Sequence, residues 1–493
     1  MATEIIQHPK YSNIPVEQPI IFSVLNEPIV DDTANSRVKY TATVHISAFE
    51  EVVPSSSFTE IGTFKTTPNN AGTGIFDFSN VIKDFVVADH NAGINSTYKL
   101  AQLSEAKIPI HIVDKWSSNT NSVRWFFVQF ATEFLNSAGV TETVDIVNSD
   151  SFKIFNGYLK FTDVLVYGTG SPLEENSFGY NLTNFNLNSS SKKFLTNAPL
   201  VQYANIEDYG TSSILMIKSI SNSGSGIAGA FTSPDDGVQN IEFNFYDKND
   251  ALIETEFIII SSEATGGATY ADRGLAENKL FFTGVFPANL RNWSTKFNDN
   301  IDDISYYTYH INRLTENPDP ASSFPINEKI SDDYRININC PNLKGYKSIR
   351  LTWLNQWGTW DYYTFTMKSS KTIKTNGSTY NELSGTWNEQ YYRINSFKGG
   401  KKTFKVNSTE MITMNTDFVN ELESEWFEEL MNSPEVYILD GFQIDSSNSV
   451  LNNYVIPVRL KNSSYTTKTV ANDKLMQYNF EVEKSNTLRT QSV

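Results

Sequence analysis

The stretch Arg37-Val-Lys-Tyr-Thr-Ala-Thr-Val-His-Ile-Ser47 alternates apolar and polar side chains without a break. Successive side chains of an extended chain point to opposite faces, so Val38, Tyr40, Ala42, Val44 and Ile46 share one face and read as a half-buried strand. Working outward, Ile20-Ile-Phe-Ser-Val-Leu25 reads as an earlier neighbour, and Ile108-Pro-Ile-His-Ile-Val113 and Val123-Arg-Trp-Phe-Phe-Val-Gln-Phe130 as later ones. Together they predict a sandwich of the immunoglobulin or fibronectin type. Between them, Ser79 can cap a short helix carrying Ile82 and Phe85. Asp77 and Asp84 beside it read as capping or solvated carboxylates, not as a catalytic pair.

Further along, Ser213–Ile220, Ile241–Tyr246 and Ala251–Ile260 read as strands, the last two joined into a hairpin by Asp247-Lys-Asn-Asp250. The segment 168–197, rich in Asn and Ser, reads as a boundary, 221–229 and 262–268 as glycine-bearing loops, and Asn317–Pro325 as a rigid proline loop. Thr416 to Met431 has helical spacing, with Thr416 as N-cap and Val419, Leu422, Trp426 and Leu430 on one face. Strands 436–439, 455–460 and 476–482 close the chain. The expected fold is mainly β, with several β-sandwich-like domains, short helices and one amphipathic helix near the C-terminus. Its expected divisions are 1–170, 171–325 and 326–493, the last carrying helix 416–431.

Composition narrows the function. The 493 residues carry a net charge of −17, so a surface for sequence-specific nucleic acid is not expected; such surfaces cluster Lys and Arg against phosphates. The densest basic segment, Tyr391-Tyr-Arg393 leading into Lys398-Gly-Gly-Lys401-Lys402, reads as a hairpin turn with a solvated rim. Cys340 stands alone, which excludes an intramolecular disulfide and argues against a cysteine zinc site. The five histidines, His8, His45, His90, His111 and His310, form no spaced pair, so no metal is expected. No nucleophile elbow, phosphate loop or calcium loop is present, and the chain is expected to be neither an enzyme nor a cofactor binder. Asp235-Asp236, Asp302-Asp303 and Asp332-Asp333 read as turn and cap residues; a glycan hydrolase could draw its carboxylates from them only through an arrangement in space. Neither a secretory signal nor an apolar membrane span is evident, which points to synthesis in a cytoplasm.

The most aromatic stretch is Leu351-Thr-Trp-Leu-Asn-Gln-Trp-Gly-Thr-Trp-Asp-Tyr-Tyr-Thr-Phe365. It reads as a hairpin around Gly358 whose rings serve either as core strands or as interface anchors. The interface reading selects Trp353, Trp357, Trp360 and Tyr362, with Glu421, Glu425 and Glu428 on the acidic helix face. That face is either solvated or turned toward a basic neighbouring subunit.

These aromatic residues, with Gly74–Ile82, Phe194–Pro199, Glu425–Val436 and Asn472–Val482, resemble virion structural proteins of tailed phages of Bacteroidota, including crAss-like phages. The resemblance implies a non-enzymatic tail, baseplate or neck component located in the virion, a ring-like homo-oligomer that assembles with neighbouring virion proteins. It supplies no catalytic residues. The alternative is a tail-tip adhesin whose exposed Trp and Tyr stack on a host-surface glycan.

Overall fold

The computed structural model describes residues 3–9, 13–48, 53–92, 108–119, 121–160, 168–169, 177–180, 193–215, 240–259, 280–315, 326–339, 345–440, 454–466, 476–486 and 489–492. It is mainly β, with several β-sandwich-like domains and short helices. The chain forms two compact units: 1–338 with 354–361, and 339–353 with 362–493.

In the first unit, one sheet runs in the order Gly168–Thr169, Ser177–Tyr180, Glu4–Pro9, Ile21–Leu25 and Gly74–Asp77. A second runs Asn13–Pro15, Phe152–Phe155, Val123–Leu135, Ser36–Ser47 and Thr59–Thr66, and Thr141–Asn148 also pairs with Val123–Leu135. Their facing side chains make the sandwich core. Tyr40, Ala42, Val44 and Ile46 all point into it, as the alternation requires, and meet Phe22, Val24 and Phe76. Tyr40 resolves its buried hydroxyl by donating to the Gly72 carbonyl at 2.7 Å and accepting from the Asn26 N–H at 3.0 Å.

Two departures from expectation occur here. Ile108–Val113 is largely buried but is not a strand: Pro109 makes only an isolated bridge to Asn91, through the Ile110 N–H to the His90 carbonyl and the Ala92 N–H to the Ile108 carbonyl, and Ile110–Ile112 then turns as a 3₁₀ helix. Ser79 opens the short helix Ser79–Ile82 but does not cap it. Asp77 caps instead, its Oδ1 accepting the N–H groups of Ser79 and Ile20.

A third sheet of this unit runs Val201–Asn205, Tyr334–Asn339, Tyr306–Thr315, Asn240–Tyr246 and Leu252–Ile259, with Ile326–Lys329 beside Tyr306–Thr315. The hairpin 240–259 is as expected. The ladder from Tyr306–Thr315 to Ile326–Lys329 and Tyr334–Asn339 continues across position 325. Likewise Trp116–Asn119 pairs with Leu280–Gly284, and the latter with Thr211–Leu215, so backbone bonds join segments on either side of position 170. The loops expected at 221–229, 262–268 and 317–325 lie outside the described residues, as does Cys340.

The second unit is built on an eight-stranded sheet in the order Trp360–Phe365, Ile349–Leu354, Val436–Leu439, Val455–Leu460, Asn479–Lys484, Gly400–Asn415 and Ser370–Glu382, with Arg489–Ser492 also on Gly400–Asn415. One helix covers its core, Glu421–Asn432, starting five residues later than the sequence suggests. Backbone bonds explain the shift. Thr416 exchanges main-chain and side-chain bonds with Tyr478, and Val419 is bridged to Met476 in both directions, which holds 416–419 extended. The helix then starts at Asn420, whose Oδ1 accepts the Glu423 N–H while the Glu423 carboxylate accepts the Asn420 N–H, each at 2.9 Å. This reciprocal capping box satisfies two donors where a lone Thr cap would satisfy one. Trp426 packs on Trp353 at 4.8 Å between ring centroids, and Phe427 on Tyr363 and Phe480 at 4.9 and 5.4 Å. Leu422 does not join them; it faces solvent.

Candidate functional site

The residues singled out in the aromatic hairpin are core. Trp353, Trp357, Trp360 and Tyr362 are at most 4% exposed, and so offer no face to a partner or a sugar. Trp353 and Tyr362 belong to the second unit, where the Arg350 guanidinium lies 5.2 Å from the Tyr362 ring centre. The tip 354–361 belongs to the first unit and is fastened there residue by residue. Trp357 Nε1 donates to Asn197 Oδ1 at 3.3 Å, and Trp360 Nε1 to the Asp89 carbonyl at 2.7 Å. Asn355 holds the turn, accepting the N–H groups of Trp357 and Thr359 and donating to the Leu195 carbonyl and Asp361. Gly358 has φ +73°, and a Cβ there would fall 1.7 Å from the Asn156 carbonyl oxygen. The physical reason is area: a Trp buries about 150–250 Å², and a chain with 13% aromatics fills its cores with them.

The acidic helix behaves differently. Glu421 and Glu425 are exposed, whereas Glu428 is half-buried and Glu429 fully buried. Beside the exposed pair, Phe418 and Leu422 are 60% and 65% exposed. An apolar and anionic patch therefore sits at the helix N-terminal end.

An exposed ribbon lies where the sequence suggested only a turn. Ser370–Glu382 and Gly400–Asn415 pair along the whole length of the shorter strand, from Ser370 opposite Thr413 to Glu382 opposite Gly400. All side chains from Ser370 to Thr379 are exposed, so this strand covers no core. Arg489–Ser492 pairs with Lys405–Ser408 and no described strand flanks the ribbon beyond it, leaving a two-stranded arm. Its loop is ordered by its own bonds. Thr386 Oγ1 accepts the Arg393 N–H at 3.0 Å and donates to the Tyr391 carbonyl at 2.9 Å, and Lys402 Nζ donates to the Phe397 carbonyl at 2.6 Å and pairs with Glu382. Gly385, Gly399 and Gly400 supply the positive φ values that the reversal needs.

On this frame Leu383, Trp387, Tyr391, Tyr392, Ile394, Phe397 and Phe404 all stand more than half exposed. Five basic residues lie between 383 and 405 against a single acid, Glu389, in a chain of net charge −17. Arg393, Lys398, Lys401 and Lys405 make no ion pair among the described residues. Isolated exposed apolar residues are ordinary, but a contiguous ordered group is the mark of an interaction surface. The sequence signal was available in the aromatics interleaved with that basic run.

Other charged clusters are satisfied internally. In the first unit, His310 faces Asp333 through Nδ1 at 3.1 Å and Glu242 through Nε2 at 3.7 Å. The His310 imidazole beside it outweighs burial, and with the amides of Asn244 and Asn312 it lowers the Glu242 pKa to about 2. In the second unit, a pocket of about 210 Å³ is floored by Ile412 and Ile438, and Glu410 in its wall binds Lys371 at 2.7 Å and Lys484 at 2.9 Å. Burial alone would raise the Glu410 pKa; the two lysines reverse that and hold it below the usual range. Both clusters read as ion-pair networks that compensate buried charge. Among the described residues no group of three or more His, Cys, Asp or Glu is arranged to hold a metal ion, and no helix is long and apolar enough to cross a membrane.

No family model matches the sequence, and no curated protein matches it. Among solved structures the chain is similar to the native conformation of E. coli alpha-2-macroglobulin, at 8% identity and TM-score 0.18, over 84% of this chain and 22% of that one. It is also similar to Salmonella alpha-2-macroglobulin reacted with methylamine, at 6% identity and TM-score 0.17, over 97% and 22%. For a mutant of the Salmonella protein the values are 6% and 0.19, over 100% and 39%. The chain thus spans 22–39% of the length of those proteins, and at such TM-scores the likeness carries no argument.

Proposed function

We propose that the chain is a non-enzymatic structural component of a tailed-phage virion, a tail, baseplate or neck protein that acts by ring-like assembly with itself and its neighbours. The observation that carries the reading is the arm tip. Leaving a large apolar side chain in water forgoes about 1.5–3 kcal/mol of burial, and the tip leaves six of them exposed on an ordered loop and a seventh, Phe404, on the adjoining strand. A docking partner recovers that energy. Exposed aromatics beside cations fit the composition of interface cores, where Tyr, Trp and Arg are enriched. The resemblance of the sequence to phage virion proteins supplies the setting.

Glycan stacking by an adhesin is the competing use of the same tip. Trp387 and Tyr392 meet edge to face, at 62° and 5.3 Å, and so do not present one flat platform. That geometry favours a protein partner. Mass spectrometry of purified particles, produced from the genome that encodes the chain, tests the assignment. Recovery at several copies per particle supports it. Absence from particles, with the protein left in the lysate, overturns it.

A further inference from the structure

We propose that the arm tip of one copy docks on the acidic patch Phe418, Glu421, Leu422 and Glu425 of a second copy. The inference rests on the assembly reading and names its contact. Both surfaces belong to the second unit, and both are apolar with unpaired charge of opposite sign. The tip offers Trp387, Ile394 and Phe397 with Arg393, Lys398 and Lys401; the patch offers Phe418 and Leu422 with Glu421 and Glu425. None of these five charged groups, cation or carboxylate, makes an ion pair among the described residues. The helix 421–432 and its lead-in from 417 contain no Lys or Arg that could neutralise the patch from within.

Exposure of both surfaces on one copy means that neither covers the other in cis, so docking is between copies. The two surfaces differ, which makes the contact heterologous: repeated, it closes into a ring or continues as a filament. Apolar burial supplies affinity, while the rim charges set orientation and salt sensitivity. Pairing exposed charges across a contact is worth little singly, so reversal rather than neutralisation is the sensitive probe.

Light scattering on the full chain tests it with four proteins: wild type, Lys398→Glu/Lys401→Glu, Glu421→Lys/Glu425→Lys, and the combination of all four changes. Lys401, Glu421 and Glu425 are exposed and Lys398 is half-buried, and circular dichroism confirms that each variant folds. The wild type is expected to exceed the 55.6 kDa of one chain, to lose mass at high salt, and to fall to one chain in either reversal. The combined variant regains the wild-type mass. A monomeric wild type, an oligomer indifferent to both reversals, a combination that stays dissociated, or assembly that appears only on added DNA each overturns the docking. Particle content is independent of these outcomes, so a chain found in particles but monomeric in solution sinks this contact and leaves the structural role standing.

Discussion

Gly358 shows how one residue decides the use of a whole aromatic stretch. With φ +73° and the Asn156 carbonyl 1.7 Å from where a Cβ would sit, Gly358→Ala forces the turn away from its seat. A loss of about 2–4 kcal/mol is expected, read as a lower first thermal transition, with the wild-type melting curve as the result against it. Trp353→Ala is expected to cost about 3–5 kcal/mol, because its ring packs on Trp426 in a fully buried site. Glu242 gives a pH test. Its pKa is lowered from 4.5 to about 2, so its contribution to stability is complete above about pH 4.5 and is lost as pH falls from there to about 2. The stability difference between wild type and Glu242→Gln should therefore shrink through that window; a difference constant from pH 7 to 2 would exclude the role. None of this was legible in sequence. The types and spacing of Trp353, Trp357 and Trp360 are the same for a core plug and an exposed platform, and the hydrogen bonds that distinguish them come from Asp89 and Asn197, far away in the chain.

Elements were legible in proportion to how much of their pattern is local. The strand 36–47 alternates because one face is buried from Tyr40 onward, and its period sufficed. The 108–113 run misled because full burial removes alternation and leaves only apolar character, which a 3₁₀ turn shares. The helix was found but placed early, since nothing in Thr416–Val419 reveals its ladder to residues 476–478. Asn420 followed by Glu423 was the better start signal. Asn420→Ala is expected to cost about 1 kcal/mol in denaturant unfolding of the second unit, with Thr416→Ala acting instead through the bond to the Tyr478 N–H; a neutral Asn420→Ala would contradict the cap assignment. The arm escaped notice because Ser370–Thr379 buries neither face, and so carries no period at all.

For the molecule as a whole, composition was informative about class and silent about place. The mainly β architecture followed from aromatic, Ser, Thr and Asn content, whereas the pairing of Trp116–Asn119 with Leu280–Gly284 joins segments that no local pattern connects. An acidic chain that carries a basic, aromatic arm is polarised for association, and the arm is the part by which the proposed assembly stands or falls. Light-scattering mass across a concentration series, for wild type against Trp387→Ser/Ile394→Ser/Phe397→Ser, measures that dependence most directly. Assembly through the arm predicts that the variant remains at one chain's mass where the wild type forms a closed oligomer. A variant that assembles as the wild type does would contradict it.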